Sequence, residues 1–382
     1  MKATYITALG TGSNLPEGAT EIIVVPNTED YDVVRAAACD LAQRHGPMDR
    51  IVALYEDDLL VAARLREEWG CPGPELDQTL RFRDKLTMSE LVAGAGIALP
   101  AFADAASEQD VICFAETHGW PVIVKPRIGS SSLGVVLAAK PGDLANIEFS
   151  LQTPMLVQAF NSNPVFHVDG LYQGGKLGPW RCSRYLNTCL DFQVGKALAS
   201  TEEDDPALTQ AIGDFTTRVV ESLAYDRTSI VFHLEVFVER TGRSAGIQFL
   251  EIGARVGGGG IPFVWREVHG YDLMADMFAI AMGEDPPTGR AAFHTGESAG
   301  WLLVQTPLKR PCRITGVRSM TGAVPGPYAE VLPEAGEVLP LTEAFFEHVG
   351  GQFRFRGHSA SAVDEAIRAT IDHYRVSAVP AQ

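Results

Sequence analysis

The stretch from Val122 to Val135, VIVKPRIGSSSLGV, constrains this chain more than any other. An apolar run of strand type ends in Lys125 and passes at once into a loop of glycines and serines. Glycine lets backbone N–H groups come close to an anion, serine adds hydroxyl donors and lysine adds charge, so such a loop can fold over nucleotide phosphates. The pattern is not the G-x-x-x-x-G-K-[ST] loop, because here the lysine precedes the glycines. Taken alone, the stretch reads equally well as a flexible surface loop after a strand that ends in lysine.

Composition narrows the class. At 382 residues the chain has room for two or three domains with substantial cores. A hydrophobic fraction of 46% with 21% charged residues is that of an ordinary globular protein. With 31 Lys+Arg against 48 Asp+Glu the formal net charge is −17, which argues against nucleic acid or an anionic membrane as a partner. Nowhere do about 18 apolar residues run together, and the short apolar run near the N-terminus is too brief for a signal peptide. The six cysteines are scattered and never spaced C-x-x-C. These features predict a cytoplasmic protein with buried or partly buried free thiols.

The first 80 or so residues predict strands at 21–25 and 50–55 and helices at 31–45 and 57–69. That order implies an open, mainly parallel sheet with helices on its faces. Gly10-Thr11-Gly12 marks a strand-to-turn junction, but the third glycine of a dinucleotide fingerprint is missing. Helices follow at 84–94 and 107–118, then a strand at 120–125. Beyond Pro154 the pattern is β-rich, with strands at 155–160, 165–172, 230–239 and 245–254. Helices are predicted at 205–223, 263–282 and 362–374.

A second constellation is His233-Leu234-Glu235 together with Glu251-Ile252-Gly253-Ala254-Arg255 and the run Gly257-Gly258-Gly259-Gly260. On alternating strands His233, Glu235, Phe237 and Glu239 share a face, as do Glu251, Gly253 and Arg255. A two-residue turn at Thr241-Gly242 would pair residue 235 with 248. A three-residue loop, Gly242-Arg243-Ser244, would set Glu235 directly across from Glu251. Facing carboxylates suit Mg²⁺, which takes oxygen ligands and usually adds substrate phosphate and water. For Glu239 and Arg243 a solvated charged face is the preferred reading. Four glycines in a row are hard to explain as packing, and just before a helix N-terminus their N–H groups suit a carboxylate or phosphate. His233 is expected to be a hydrogen-bonded, partly buried residue at least as readily as a substrate contact. Cys182 and Cys189 lie near Arg181 and Arg184, yet no base is evident, so buried thiols are expected rather than a nucleophile. Trp180, Tyr185 and Phe192 read first as core.

Together these pieces resemble the ATP-grasp ligase superfamily over most of the chain. Arg83-Asp84-Lys85 opens a helix and is followed by GIALP; Lys125 and the loop 129–134 follow a strand. Leu156-Val157-Gln158-Ala159-Phe160 stands at the adenine hinge and leads to Val168-Asp169-Gly170, and Glu235, Glu251 and Arg255 complete the pattern. H-x-E with E-x-x-x-R-x-x-G is most similar to the amino-acid ligase branch. Three positions depart from the family: Gln158-Ala159 replaces the hinge glutamate, Val165 the ribose-binding glutamate, and Gly253 an asparagine two residues after the second metal glutamate.

The resemblance implies an α/β (α+β) architecture of ATP-grasp type. An open parallel-sheet domain would occupy 1–95, a small central domain with the Gly/Ser lid loop 96–160, and a larger, mainly antiparallel domain 161–382. It implies ATP-dependent joining of a small-molecule carboxylate to an amine through an acyl phosphate, with an amino acid as at least one substrate. The residues implied for ATP are Lys85, Lys125, Ser130, Ser131, Ser132, Gln158, Ala159 and Phe160. Glu235 and Glu251 would hold one or two Mg²⁺, with Mn²⁺ as an alternative. Arg255 and Lys125 would serve catalysis, and Arg255, Gly257, Gly258, Gly259 and His233 the substrate. A homodimer is expected by the same analogy, while no nucleic-acid or membrane partner is expected from the net charge and the lack of a long apolar run. The rival readings are a different acceptor (D-alanine–D-alanine type or carboxylating) and a non-catalytic ATP-binding regulator.

Overall fold

The computed structural model describes residues 2–8, 18–224, 228–241, 244–286, 296–341 and 349–381. The glycine junction at 10–12 and Arg243 lie outside them. In the N-terminal part β1 (Thr4–Ala8) and β2 (Glu21–Val25) pair in parallel, and α1 (Tyr31–His45) follows. The Asp30 side chain accepts the Asp32 and Val33 N–H groups, which satisfies donors that the first helical turn cannot. A single 3₁₀ turn, Glu56–Asp58, leads into α2 (Leu59–Trp69), which ends at Gly70 with φ +66°. The strand expected at 50–55 joins no sheet: the Ile51 carbonyl accepts Nη1 of Arg66 at 2.8 Å, so a side chain takes the place of a ladder partner. The parallel sheet among the described residues is therefore two-stranded rather than extended.

After α3 (Leu76–Leu80), Asp84 caps α4 (Lys85–Gly94) by accepting the Leu86 N–H. A four-stranded antiparallel sheet comes next, from β3 (Phe102–Ala105), β4 (Val122–Pro126), β5 (Val136–Ala138) and β6 (Met155–Ala159), in the order β3-β6-β4-β5. Helix α5 (Glu108–His118) covers it, so Val122, Val124, Val157 and Phe114 form its core.

The largest sheet is antiparallel with eight strands. It uses β7 (Val165–Gln173), β8 (Lys176–Asn187), β9 (Leu198–Glu202), β10 (Ile230–Thr241), β11 (Ser244–Gly253), β12 (Ser298–Val304) and two further strands. Between these run α6 (Cys189–Gln193), α7 (Pro206–Leu223), α8 (Ile261–His269) and α9 (Leu273–Ala281). Strands β13 (Cys312–Val317), β14 (Ala329–Val331), β15 (Val338–Leu339) and β16 (Gly351–Gly357), then α10 (Ala360–His373) and β17 (Val376–Pro380), complete the chain. The sheet order is β11-β10-β7-β8-β9-β12-β16-β14, with β13, β15 and β17 in a small separate sheet. The helix expected over 263–282 is two helices, because Gly270 turns left-handed at φ +66° and Asp272 starts α9 by capping Ala275 N–H.

Period-two alternation splits the large sheet into two faces. Phe166, Val168, Phe232, Leu234 and Val236 pack beneath α4 and α7, and Val165, Leu171, Tyr185, Val231 and Trp301 beneath α8 and α9. No helix among the described residues is long and apolar enough to cross a membrane. All six cysteines are free thiols; Cys113 is exposed rather than partly buried, because it sits on the outer side of α5.

Candidate functional site

The site grows from the pairing of β10 with β11. Next to the hairpin the register sets Thr241 opposite Ser244 and Phe237 opposite Gln248, so neither loop expected from the sequence is present. A shift between Glu235 and Val236 then leaves Leu250 without a partner and brings Glu235 opposite Glu251. A β-bulge, invisible to a turn-length argument, thus makes the carboxylates face one another. On its other edge Glu235 pairs with His167 of β7, so Glu251, Glu235 and His167 form one row across the sheet, on the α8 side.

Behind that row lies a buried polar cluster. The Asp169 carboxylate meets His167 Nδ1 at 2.6 Å and His233 Nδ1 at 2.8 Å, and His167 Nε2 meets Ser200 Oγ at 2.6 Å. Burial would push the Asp169 carboxyl up, but the two histidines outweigh it and hold it well below the usual carboxylate range. Burial likewise disfavours the charged His233 ring, yet the Asp169 carboxylate raises its pKa to about 9. His233 Nε2 lies 3.5 Å from Glu235 Oε1, which also accepts the Tyr185 hydroxyl at 2.9 Å. His233 is hydrogen-bonded and buried, and lies beside Glu235. Tyr185, expected in the core, is buried but also holds a candidate metal ligand. His167, Asp169 and His233 bring their ligating atoms within 4.8 Å of one another, but both Asp169 oxygens are already engaged by ring nitrogens.

Two lysines approach the carboxylates from outside the large sheet, one on a helix and one on a strand of the four-stranded sheet. Lys85, at the first turn of α4, places Nζ 3.8 Å from Glu251 Oε2 and donates to the Gly129 carbonyl at 2.8 Å. Lys125, at the end of β4, donates to Gln158 Oε1 at 3.1 Å. Burial drives its ammonium down to about 8, an effect that Glu251 and Glu235 offset only in part. Gln158 therefore fills the hinge position as the partner of a buried lysine. Ala159 is tied to Ala101 O through its N–H, and Phe160 stays 41% exposed at the hinge. In the Gly/Ser loop Ser131 and Ser132 adopt φ +56° and +57°, strained for non-glycine residues, while Ser130 Oγ donates to Asp57 Oδ2 at 3.1 Å. Arg127 pairs with Asp84 and Asp104, which ties the residue just before the loop to the cap of α4.

Arg255 follows β11. Its Nε donates to Glu56 Oε2, and its Nη1 to the Val256 carbonyl at 3.0 Å. Glu56 also accepts Arg83 Nη1 at 2.5 Å, and Arg83 Nη2 reaches Asp57 at 3.0 Å. Burial opposes charge on Glu56, but Arg255 and Arg83 hold its pKa down at about 2. Sequence reasoning missed Glu56, and its signal was slight: an acid at the end of the apolar run 50–55. The glycine run has a packing explanation after all. A Cβ at Gly257 would stand 2.4 Å from Asp169 Oδ1 and 2.8 Å from His233 Nδ1; one at Gly260 would stand 2.3 Å from Trp301 Cβ. Gly258 alone faces open space. Cys182 and Cys189 are no nucleophiles: burial pushes both thiols up. A cavity of about 1380 Å³ lies on the opposite face of the sheet, lined by Phe166, Arg184, Thr201 and Arg368, away from all these groups.

The arrangement suits a divalent cation and polyphosphate. Two carboxylates face one another, the more exposed one, Glu251, has a lysine 3.8 Å away, and a second lysine is held buried behind them. Comparison with known proteins points the same way. Residues 82–164 match the sequence model of the RimK-like ATP-grasp domain. The chain is therefore similar to the ATP-grasp ligases in this segment and in its overall fold. It is 25% identical over 281 residues to an L-arginine-specific L-amino acid ligase of Bacillus subtilis, an alignment over 70% of this chain and 66% of the relative, just under two thirds of its length. Its fold superposes on L-amino acid ligase from Bacillus licheniformis with a TM-score of 0.76 at 17% identity, covering 99% of this chain and 98% of that one. The biotin carboxylase domain of Hydrogenobacter thermophilus 2-oxoglutarate carboxylase, solved with MgADP, gives 0.67 at 15% identity over 99% and 86% of the two chains.

Proposed function

We propose that this chain joins the carboxylate of one small molecule, an amino acid in at least one of the two substrate positions, to the amine of another at the expense of ATP. The observation that carries the reading is Glu235 facing Glu251, with Lys85 3.8 Å from Glu251 and Arg255 just beyond the same strand. Lys85 and Lys125 would bind the α- and β-phosphates, with loop 128–134 as the lid and Gln158, Ala159 and Phe160 beside the base. Mg²⁺, held by Glu235 and Glu251, would supply neutralising charge at the phosphates.

A substrate carboxylate oxygen then attacks the γ-phosphorus, the bond to the β-phosphate oxygen breaks, and ADP leaves. The amine attacks the acyl carbon of the acyl phosphate, loses a proton, and phosphate departs. Little covalent work falls to the side chains, so positioning and charge dominate. Arg255 would neutralise the transferring phosphoryl group and the tetrahedral oxyanion, and with Gly257, Gly258 and Gly259 would hold the substrate carboxylate, His233 lying beside it. Water kept out by the lid would spare the acyl phosphate.

The test is phosphate and ADP release from MgATP across paired panels of carboxylates and amines. Release that requires one acid and is completed by one amine supports the reading. AMP and pyrophosphate instead, or silence from a protein that still binds ATP, would refute it. Arg255→Ala should abolish turnover while ATP still binds.

A further inference from the structure

Arg255 carries the charge on which the proposed chemistry turns, yet its direction is not set by its sequence neighbours alone. Nε is taken by Glu56 Oε2 and Nη1 by the Val256 carbonyl, while Nη2 takes no partner among the described residues. Glu56 lies 199 residues earlier, in the 3₁₀ turn that begins α2. It is itself anchored: its other oxygen accepts Nη1 of Arg83, a nearly buried residue, and Arg83 reaches on to Asp57, which accepts Ser130 of the lid loop. Each oxygen of Glu56 thus serves one guanidinium. A Cβ at position 253 would lie 3.3 Å from Arg255 Cγ and 3.5 Å from Glu56 Oε1. Position 253 thus lies directly against this pair.

We infer that Glu56 is a positioning residue: it fixes the Arg255 guanidinium through Nε so that the free Nη2 edge faces the substrate. The inference rests on the ligase reading for its effect on turnover, but not for its geometry. A carboxylate holding a guanidinium by one nitrogen removes the side chain's rotational freedom before substrate arrives, which is entropy the transition state need not lose. Glu56 does not touch substrate in this account, and it acts only through Arg255.

Two readouts test it on the full chain. The first needs no turnover: Arg255 modification by phenylglyoxal, followed by peptide mass spectrometry. In Glu56→Gln the Arg255 rate should rise several-fold, with no change in Glu116→Gln, an exposed control on α5. The second is kinetic. Glu56→Gln should lower kcat by about 10- to 100-fold, with KM for ATP and for the amino acid within about threefold. In an Arg255→Lys background the same change should add less than about threefold, because the group it positions is gone. An unchanged Arg255 labelling rate overturns the inference. So does a raised amino-acid KM at constant kcat, which would make Glu56 a substrate ligand. If Glu56→Gln does not fold, Glu56→Asp carries the test with its shorter reach. A wild-type protein that fails the substrate panel ends the ligase reading, while the labelling result stands by itself.

Discussion

At Lys125 a buried ammonium has, among the described residues, only the side-chain amide oxygen of Gln158 as a hydrogen-bond partner, and its pKa falls to about 8. Burial of a cation without a counter-ion in contact is unfavourable, and a nucleotide phosphate would supply that counter-ion. The sign follows from linkage. A free pKa near 8 that rises on binding means that affinity is full below about pH 8 and falls as pH rises through it. Calorimetry at about pH 9 in two buffers of different ionisation heat should show ATP binding taking up roughly half to one proton. Lys125→Met should abolish that uptake, and equal heats in both buffers would contradict the placement of phosphate at Lys125. Nothing in the composition announces this. A lysine at the end of an apolar strand is readable as a candidate; that it is fully enclosed is not.

Among the elements, the run from Gly257 to Gly260 links β11 to α8 and is squeezed between the Asp169–His233 pair on one side and the Trp301 indole on the other. Gly257→Ala would force its Cβ against Asp169 Oδ1 and His233 Nδ1, and should destabilise the fold by about 1–3 kcal/mol. Gly258→Ala, with open space at its Cβ, should leave the melting temperature nearly unchanged. Thermal unfolding of the two variants measures the difference, and equal melting temperatures would show that the run is not set by packing. The same element scale shows where sequence reading stops. Helices α1 and α5 were legible because a capping side chain, Asp30 or Ser107, precedes each. Strand β8, twelve residues that cross the middle of the large sheet, was not, since its Gly-Pro and three charged residues break the alternation. The bulge at Leu250 was beyond reach for a different reason: a bulge is chosen by what both strands bury.

In the whole molecule, four segments distant in sequence meet at one place. The Gly/Ser loop touches the N-terminal part through Ser130–Asp57 and α4 through Lys85–Gly129, and the N-terminal part touches the large sheet through Glu56–Arg255. If the nucleotide lies among them, it should hold the loop more firmly still. Hydrogen exchange of residues 128–134 should slow several-fold with MgATP, while β7 and β10 stay as protected as before. Exchange unaltered by nucleotide at concentrations that saturate binding would mean that the loop is not a lid.

Alone, the sequence carried the resemblance to the ATP-grasp ligases and the residue types of the candidate site, because lysine after an apolar strand, H-x-E, E-x-x-x-R and the Gly/Ser loop are local patterns that chemistry constrains locally. Only the tertiary structure decided which groups meet. The facing of Glu235 and Glu251 depends on a bulge, the buried Asp169 on two histidines from different strands, and the aim of Arg255 on a carboxylate 199 residues away. Those contacts are set by the packing of sheets and helices on one another, and packing energy is a property of pairs of surfaces that no single stretch of sequence contains.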